Sequence, residues 1–181
     1  GSGGMSRVYQ ASHVRSGGKL AIKIIELHLS HRPDTMKRCE QEARAMMEIQ
    51  SNHVVRAYDV GTFPTGQLYV VMELLNGETL EHLIKRDGPI PWTRVAQMAL
   101  QICSGLTAGH RRGSFRRDVK PQNCMRIDLA DHVDHVKLID FGLARDINSV
   151  ESGVTQEGVI LGTPEYMAPE LIASRATPDA R

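Results

Sequence analysis

Hydrophobic and polar positions change period twice along the chain. Residues 7–15 (RVYQASHVR) alternate and residues 19–26 (KLAIKIIE) run apolar, with Ser16-Gly17-Gly18 between them. That pattern predicts a β-hairpin. Over 34–49 the period becomes helical, with Met36, Cys39, Ala43, Met46, Met47 and Ile49 on one stripe and Asp34 as the N-cap. Val54–Val60 and Leu68–Leu75 predict two further strands, joined through Gly61-Thr62-Phe63-Pro64-Thr65-Gly66. After Gly77 helices dominate. Thr79–Lys85 is short; Pro91–His110 is longer, with Val95, Met98, Ala99, Ile102, Leu106 and Ala108 as its apolar face and Gly113 beyond its end. Short strands at Asn123–Ile127 and His135–Ile139 enclose a polar turn, and Phe141–Met167 is a long Gly-, Ser- and Thr-rich loop. Loops of that length are functional or disordered. The expected class is α+β.

Composition narrows this modestly. The chain of 181 residues is one domain or a piece of a larger one, and 41% hydrophobic with 24% charged residues suits an ordinary globular protein. A net charge of +1 gives no argument for nucleic acid or an anionic membrane. No apolar run approaches the roughly 18 residues of a membrane helix, and Gly1-Ser2-Gly3-Gly4 does not open a signal peptide. Cys39, Cys103 and Cys124 are scattered, which points to reduced thiols and a cytoplasmic location, with Cys103 and Cys124 as small buried hydrophobes. Met46, Met47 and Met98 read as core. The chain opens inside a motif and without an initiator Met, so a fragment is expected.

The chemistry lies in a few motifs. Gly1-Ser2-Gly3-Gly4-Met5-Ser6 is a Gly-x-Gly-x-x-Ser element whose backbone amides can approach phosphate oxygens. A strand follows it, against a Rossmann unit, and the Gly-Lys-Ser/Thr of a Walker A loop is absent. Lys23 sits among apolar residues in Ala21-Ile22-Lys23-Ile24-Ile25, and both Glu40 and Glu42 on the amphipathic helix are candidate partners. Asp118, Lys120 and Asn123 fall within six residues, and Asp140 follows 22 positions after Asp118. A carboxylate to orient a hydroxyl, a cation beside the moving phosphoryl group and oxygen ligands for Mg²⁺ are what phosphoryl transfer from a nucleotide needs. Asp131-His132-Val133-Asp134-His135 reads as a solvated turn, not a metal site. The cluster Arg111, Arg112, Arg116, Arg117 and Lys120 has no aromatic platform for nucleic acid.

In order and spacing, Arg117-Asp118-Val119-Lys120-Pro121-Gln122-Asn123, Asp140-Phe141-Gly142 and Gly162-Thr163-Pro164-Glu165-Tyr166-Met167-Ala168-Pro169-Glu170 resemble the catalytic domain of the serine/threonine protein kinases, bacterial type. The resemblance implies a two-lobed fold truncated at both ends: a small β-rich N-lobe with one helix and the hinge start over 1–75, and a partial helical C-lobe over 76–181. It implies transfer of the γ-phosphoryl group of ATP, with Mg²⁺, to serine or threonine of protein substrates. Asp118 would orient the hydroxyl and Lys120 would sit by the γ-phosphate. Gly1, Gly3, Ser6, Val8, Ala21, Lys23, Glu42, Glu73 and Leu75 would bind ATP, with Met72 as gatekeeper and Glu42, favoured over Glu40 by the resemblance, paired to Lys23. Asn123 and Asp140 would hold the metal, Thr163 would help position substrate, and Thr155 would be the regulatory phosphosite, its charge met by Arg117. Self-association for trans-autophosphorylation belongs to the same expectation, and a membrane anchor outside the fragment is compatible with it. The alternatives are a pseudokinase that binds nucleotide or partners, or an inactive fragment. Arg116 stands where the family has His, beneath Phe141, and is expected to lower activity.

Overall fold

The computed structural model describes residues 2–3, 6–25, 33–112, 119–129, 132–139, 164–166 and 169; in the first helix it describes the side chains at 37, 40, 41 and 43–47. Strands β1 (Ser2–Gly3), β2 (Ser6–Ser12), β3 (Lys19–Ile25), β4 (Ala57–Thr62) and β5 (Leu68–Glu73) form an antiparallel sheet in the order β1-β2-β3-β5-β4. The β2–β3 hairpin closes where expected. Gly17 takes φ 69° there, and its N–H donates to the His13 carbonyl at 2.8 Å. Period-2 burial follows in both central strands: Ala21, Lys23 and Ile25 of β3 and Leu68, Val70 and Met72 of β5 are buried. Helix α1 (Pro33–Met47) packs on this sheet, with Ala43 and Met46 joining Ile25, Val60, Leu68 and Val70 in one core.

Three expectations for this half need correction. Pro33, not Asp34, is the first helical residue, a position where a missing N–H costs nothing. Met47 is 38% exposed, one step round the helix from buried Met46. The strand expected from Val54 starts at Ala57 instead. Residues before it serve the other sheet: the Val55 N–H donates to the Leu138 carbonyl at 2.8 Å and the Leu138 N–H to His53 at 3.0 Å.

The second half holds β6 (Gly77–Thr79), α2 (Leu80–Asp87), α3 (Trp92–His110), β7 (Cys124–Leu129) and β8 (His132–Leu138), with the sheet ordered β6-β7-β8. Thr79 caps α2, its hydroxyl accepting from the His82 N–H at 3.2 Å. Helix α3 buries Met98, Gly105 and Gly109 and half-buries Ile102, Leu106 and Ala108, but Val95, Ala99 and Cys103 are exposed. Cys103 is therefore not a core residue, whereas Cys124 is buried as expected. Asn123 ends a 3₁₀ turn over Pro121–Asn123 and does not open the strand. One core cluster runs through both halves, from Ile25 and Val70 to Leu83, Met98, Val136 and Leu138. Among the described residues no helix is long and apolar enough to cross a membrane.

The turn expected to be solvated is the largest departure. Asp134 is 5% exposed and adopts φ 62°. Nε and Nη2 of Arg94, along one edge of the guanidinium, donate to its two carboxylate oxygens, and Arg126 lies 3.4 Å away. Arg126 continues to Glu78 at 2.9 Å, and Glu78 to Arg86 at 2.7 Å, so α3, β8, β7, β6 and α2 share one ionic chain. The hydrogen bond from Arg94 holds the Asp134 carboxyl below its ordinary value, against the opposing effect of burial. For Glu78 burial pushes upward, but Arg86 and Arg126 outweigh it. A lowered carboxylate pKa contributes stability above the unfolded value of 3.8, and that contribution disappears as pH falls through the folded value. The wild-type melting temperature should therefore fall more steeply below about pH 4 than that of Asp134→Asn, so the two curves converge in acid. Parallel curves would remove Asp134 as the source of acid lability.

Candidate active site

The sheet register builds one wall of a cleft. Val8 of β2 lies opposite Lys23 of β3, Lys23 lies opposite Val70 of β5, and Ala21 lies opposite Met72. Directly paired residues share a face, so Val8, Ala21, Lys23 and Met72 point to the same side. Ser6 pairs with Gly3 across the β1–β2 hairpin and with Ile25 on its other edge. Lys23 is 6% exposed, a degree of burial that lysine rarely shows. Glu40 accepts a hydrogen bond from Arg44 at 2.7 Å on the exposed face of α1, so the rival candidate for the Lys23 partner is engaged elsewhere. Glu42 lies in α1, but its side chain is outside the described set.

At the end of β5 the chain passes Glu73 and Leu75. The Glu73 carboxylate accepts from the Arg56 N–H at 2.8 Å and from Lys137 at 2.5 Å, and the Glu73 N–H donates to the Arg56 carbonyl at 3.0 Å. The side chain of Glu73 is thus spent on β8. Sequence reading missed this tie, since Lys137 lies 64 positions away.

The other wall is the β7–β8 hairpin. Cys124 pairs with Leu138, and the Ile139 N–H donates to the Asn123 carbonyl at 3.1 Å. This brings the end of the Asp118–Asn123 segment beside the residue that precedes Asp140. The Asn123 side chain is buried, and the backbone N–H of Asn123 donates to the Lys120 carbonyl at 2.9 Å, closing the turn that carries Lys120. The two walls meet in a small apolar cluster of Ala21, Val55 and Met72, with Leu75 and Ile139 packed against it. Ile139 was the residue missed here; its signal was an apolar side chain directly before a candidate metal ligand. Gly1, Asp118, Asp140, Thr155, Thr163, Arg116 and Arg117 lie outside the described residues. Pro164–Tyr166 forms a 3₁₀ turn with Tyr166 exposed.

The donor set suits Mg²⁺. An amide oxygen and a carboxylate are hard ligands, and Mg²⁺ is held by one or two protein oxygens plus substrate phosphates, not by a protein cage. Among the described residues, which do not include Asp140, no three His, Cys, Asp or Glu side chains converge on a metal-sized site.

The family described as the protein kinase domain matches residues 1–180, and the chain belongs to it. Serine/threonine-protein kinase Pkn1 of Myxococcus xanthus is 36% identical over 170 residues, covering 94% of this chain and 24% of Pkn1. The chain spans about a quarter of the length of the curated relatives it matches. The crystal structure of the Mycobacterium tuberculosis PknI kinase domain superposes with a TM-score of 0.76 at 24% identity, over 99% of this chain and 64% of that one. Rad53 in complex with AMP-PNP gives a TM-score of 0.75 at 25% identity, over 96% and 40%. The fold is the α+β protein-kinase fold.

Proposed function

We propose that this chain carries the ATP site and catalytic loop of a serine/threonine protein kinase that phosphorylates protein substrates. The observation that carries the reading is the packing of both Leu75 and Ile139 against one cluster of Ala21, Val55 and Met72. It joins the wall proposed for adenine to the hairpin proposed for the metal. The relatives' names as serine/threonine kinases and the AMP-PNP complex of Rad53 support the same choice.

In this reading the backbone of Glu73 and Leu75 meets adenine between Val8 and Ala21, under the amides of Gly1, Gly3 and Ser6. Lys23, braced by Glu42, meets the α- and β-phosphates. Asn123 and Asp140 hold Mg²⁺, which when bound neutralises charge on the phosphate oxygens. Asp118 orients the substrate hydroxyl and accepts its proton as the oxygen bonds to the γ-phosphorus. The bond to the β-phosphate oxygen breaks, ADP leaves, and Lys120 offsets charge on the transferring group. Thr163 positions substrate, Thr155 is the activating phosphosite read by Arg117, and self-association permits trans-autophosphorylation. The division into an N-lobe over 1–75 and a C-lobe over 76–181, acting in the cytoplasm, completes the proposal.

The test is transfer of γ-labelled phosphate from ATP to a Ser/Thr protein substrate by the intact protein, with and without Mg²⁺. Mg²⁺-dependent labelling that Asp118→Asn abolishes is expected. Nucleotide binding with no transfer under any condition would instead make it a pseudokinase.

A further inference from the structure

The ionic chain through Asp134 and Arg126 passes through the hairpin that follows Asn123, and the arrangement is more specific than general bracing requires. Asp134 is the only non-glycine residue with positive φ among the described residues. Asp tolerates that conformation better than most side chains, but glycine would adopt it freely. A carboxylate stands there instead, buried and held by two donors, Nε and Nη2, of Arg94. Seven residues along α3 from Arg94, two turns further on the same face, Gln101 repeats the grip. Its amide NH₂ donates to the Asp134 carbonyl at 3.0 Å, and its oxygen accepts from the Val136 N–H at 2.9 Å. Strand β8 is the edge of its sheet, and Gln101 supplies hydrogen bonds that a further strand would supply.

Helix α3 therefore holds β8 at its turn end by charge and along its edge by an amide. Arg126 repeats the connection to β7, whose first residue follows Asn123. A strand clamped at one end transmits rotation and slip to the other, and a slip of one residue would turn every side chain to the opposite face. From Asp134 to Ile139 is five residues, roughly 16 Å at strand spacing.

We propose that Asp134, held by Arg94 and Gln101, is a positioning residue for the nucleotide-bound metal: it sets the register in which β7–β8 presents Asn123. This rests on the kinase reading above. Binding of Mn²⁺ to the intact protein, read as the loss of the free-ion paramagnetic resonance signal beyond that caused by a non-hydrolysable ATP analogue alone, tests it without turnover. Asp134→Asn keeps the shape and the tolerance of positive φ but removes the charge. It should weaken Mn²⁺ binding about tenfold, the lower end of the effect of removing groups that orient metal ligands. Metal-free affinity for the analogue should stay unchanged. Arg94→Lys keeps the charge but loses the bidentate pairing, and should weaken Mn²⁺ binding by a smaller factor; it carries the test if Asp134→Asn does not fold. Unchanged Mn²⁺ affinity in the folded variants would overturn the proposal. So would an equal loss of metal-free analogue binding, which would mark general destabilisation. Failure of the wild-type protein to bind Mn²⁺ with the analogue would instead sink the kinase reading itself, and this proposal with it.

Discussion

Lys23→Met should reduce phosphotransfer by the intact protein at least a hundred- to thousandfold, the cost of removing one preorganised charge-stabilising donor from an active site, while leaving the protein folded. The two halves of this expectation have different physical sources. Lys23 is 6% exposed on the inward face of β3, between Ala21 and Ile25. Keeping an ammonium there carries a desolvation cost, and a methionine of similar length fills the same space without it. Loss of the contact that its partner makes offsets this gain, so the protein should stay folded with a melting temperature within a few degrees of wild type. The rate should collapse because the positions paired across that face are Val8, Val70 and Met72, and the other cation on it, Lys19, stands exposed at the far end of β3. Such a split, with stability kept and activity lost, is the behaviour of a group retained for chemistry at the expense of burial. Initial rates and thermal melts on the same preparation decide it. A variant that retains a third of wild-type turnover would remove Lys23 from the phosphate site. A variant that unfolds would make it a structural lysine.

What could be read in advance, and what could not, divides along physical lines. Strands β3 and β5 were legible because one face is buried and the other only half-buried, so burial writes a period of two into Ala21, Lys23 and Ile25. Lys23 stood out for the same reason, as a charge at an inward position. The candidate catalytic and metal-binding groups could be proposed in advance because they sit on two short contiguous segments, 118–123 and 140–142. Contacts between distant segments left no local trace. Arg94 and Asp134 are 40 positions apart, and Glu73 and Lys137 are 64 apart. Read alone, the polar run around Asp134 is indistinguishable from a solvated turn. Helix α3 misled for another reason. Apolar residues surround it on most sides, and Trp92 and Leu100 are 78% and 72% exposed. A period that covers the whole circumference cannot say which side faces the core. The start of β4 was misplaced because Val54 and Val55 are as apolar as strand residues yet pair with Leu138 of the other sheet.

That junction should give the largest loss of stability from a single truncation. Leu138 is fully buried, and its backbone is held on both sides, by Val55 N–H and by the His53 carbonyl. Helix α3 comes closest at Gly105. A Cβ there would lie 2.6 Å from the His53 carbonyl oxygen and 3.0 Å from Cδ1 of Leu138. The leucine thus fills a space whose opposite wall is bare helix backbone. Leu→Ala substitutions in cores cost about 2–5 kcal/mol, and the value depends on how far the surroundings collapse into the cavity. Here they cannot collapse far. Gly105 has no side chain to move, and the His53 carbonyl is engaged with the Leu138 N–H. Leu138→Ala should lie in the upper part of that range, against a total of about 5–15 kcal/mol for a native domain. At about 2–4 °C per kcal/mol for a domain of this size, the melting temperature should drop on the order of 10 °C. Adding Gly105→Ala should not restore it, because the new methyl meets the His53 oxygen before it reaches the cavity. Thermal melts of the single and double variants separate the cases. A single variant within about 3 °C of wild type, less than roughly 1 kcal/mol by the same conversion, would show that the junction relaxes freely. A double variant more stable than the single one would show that α3 can move away from His53, and the rigidity assigned to this contact would be wrong.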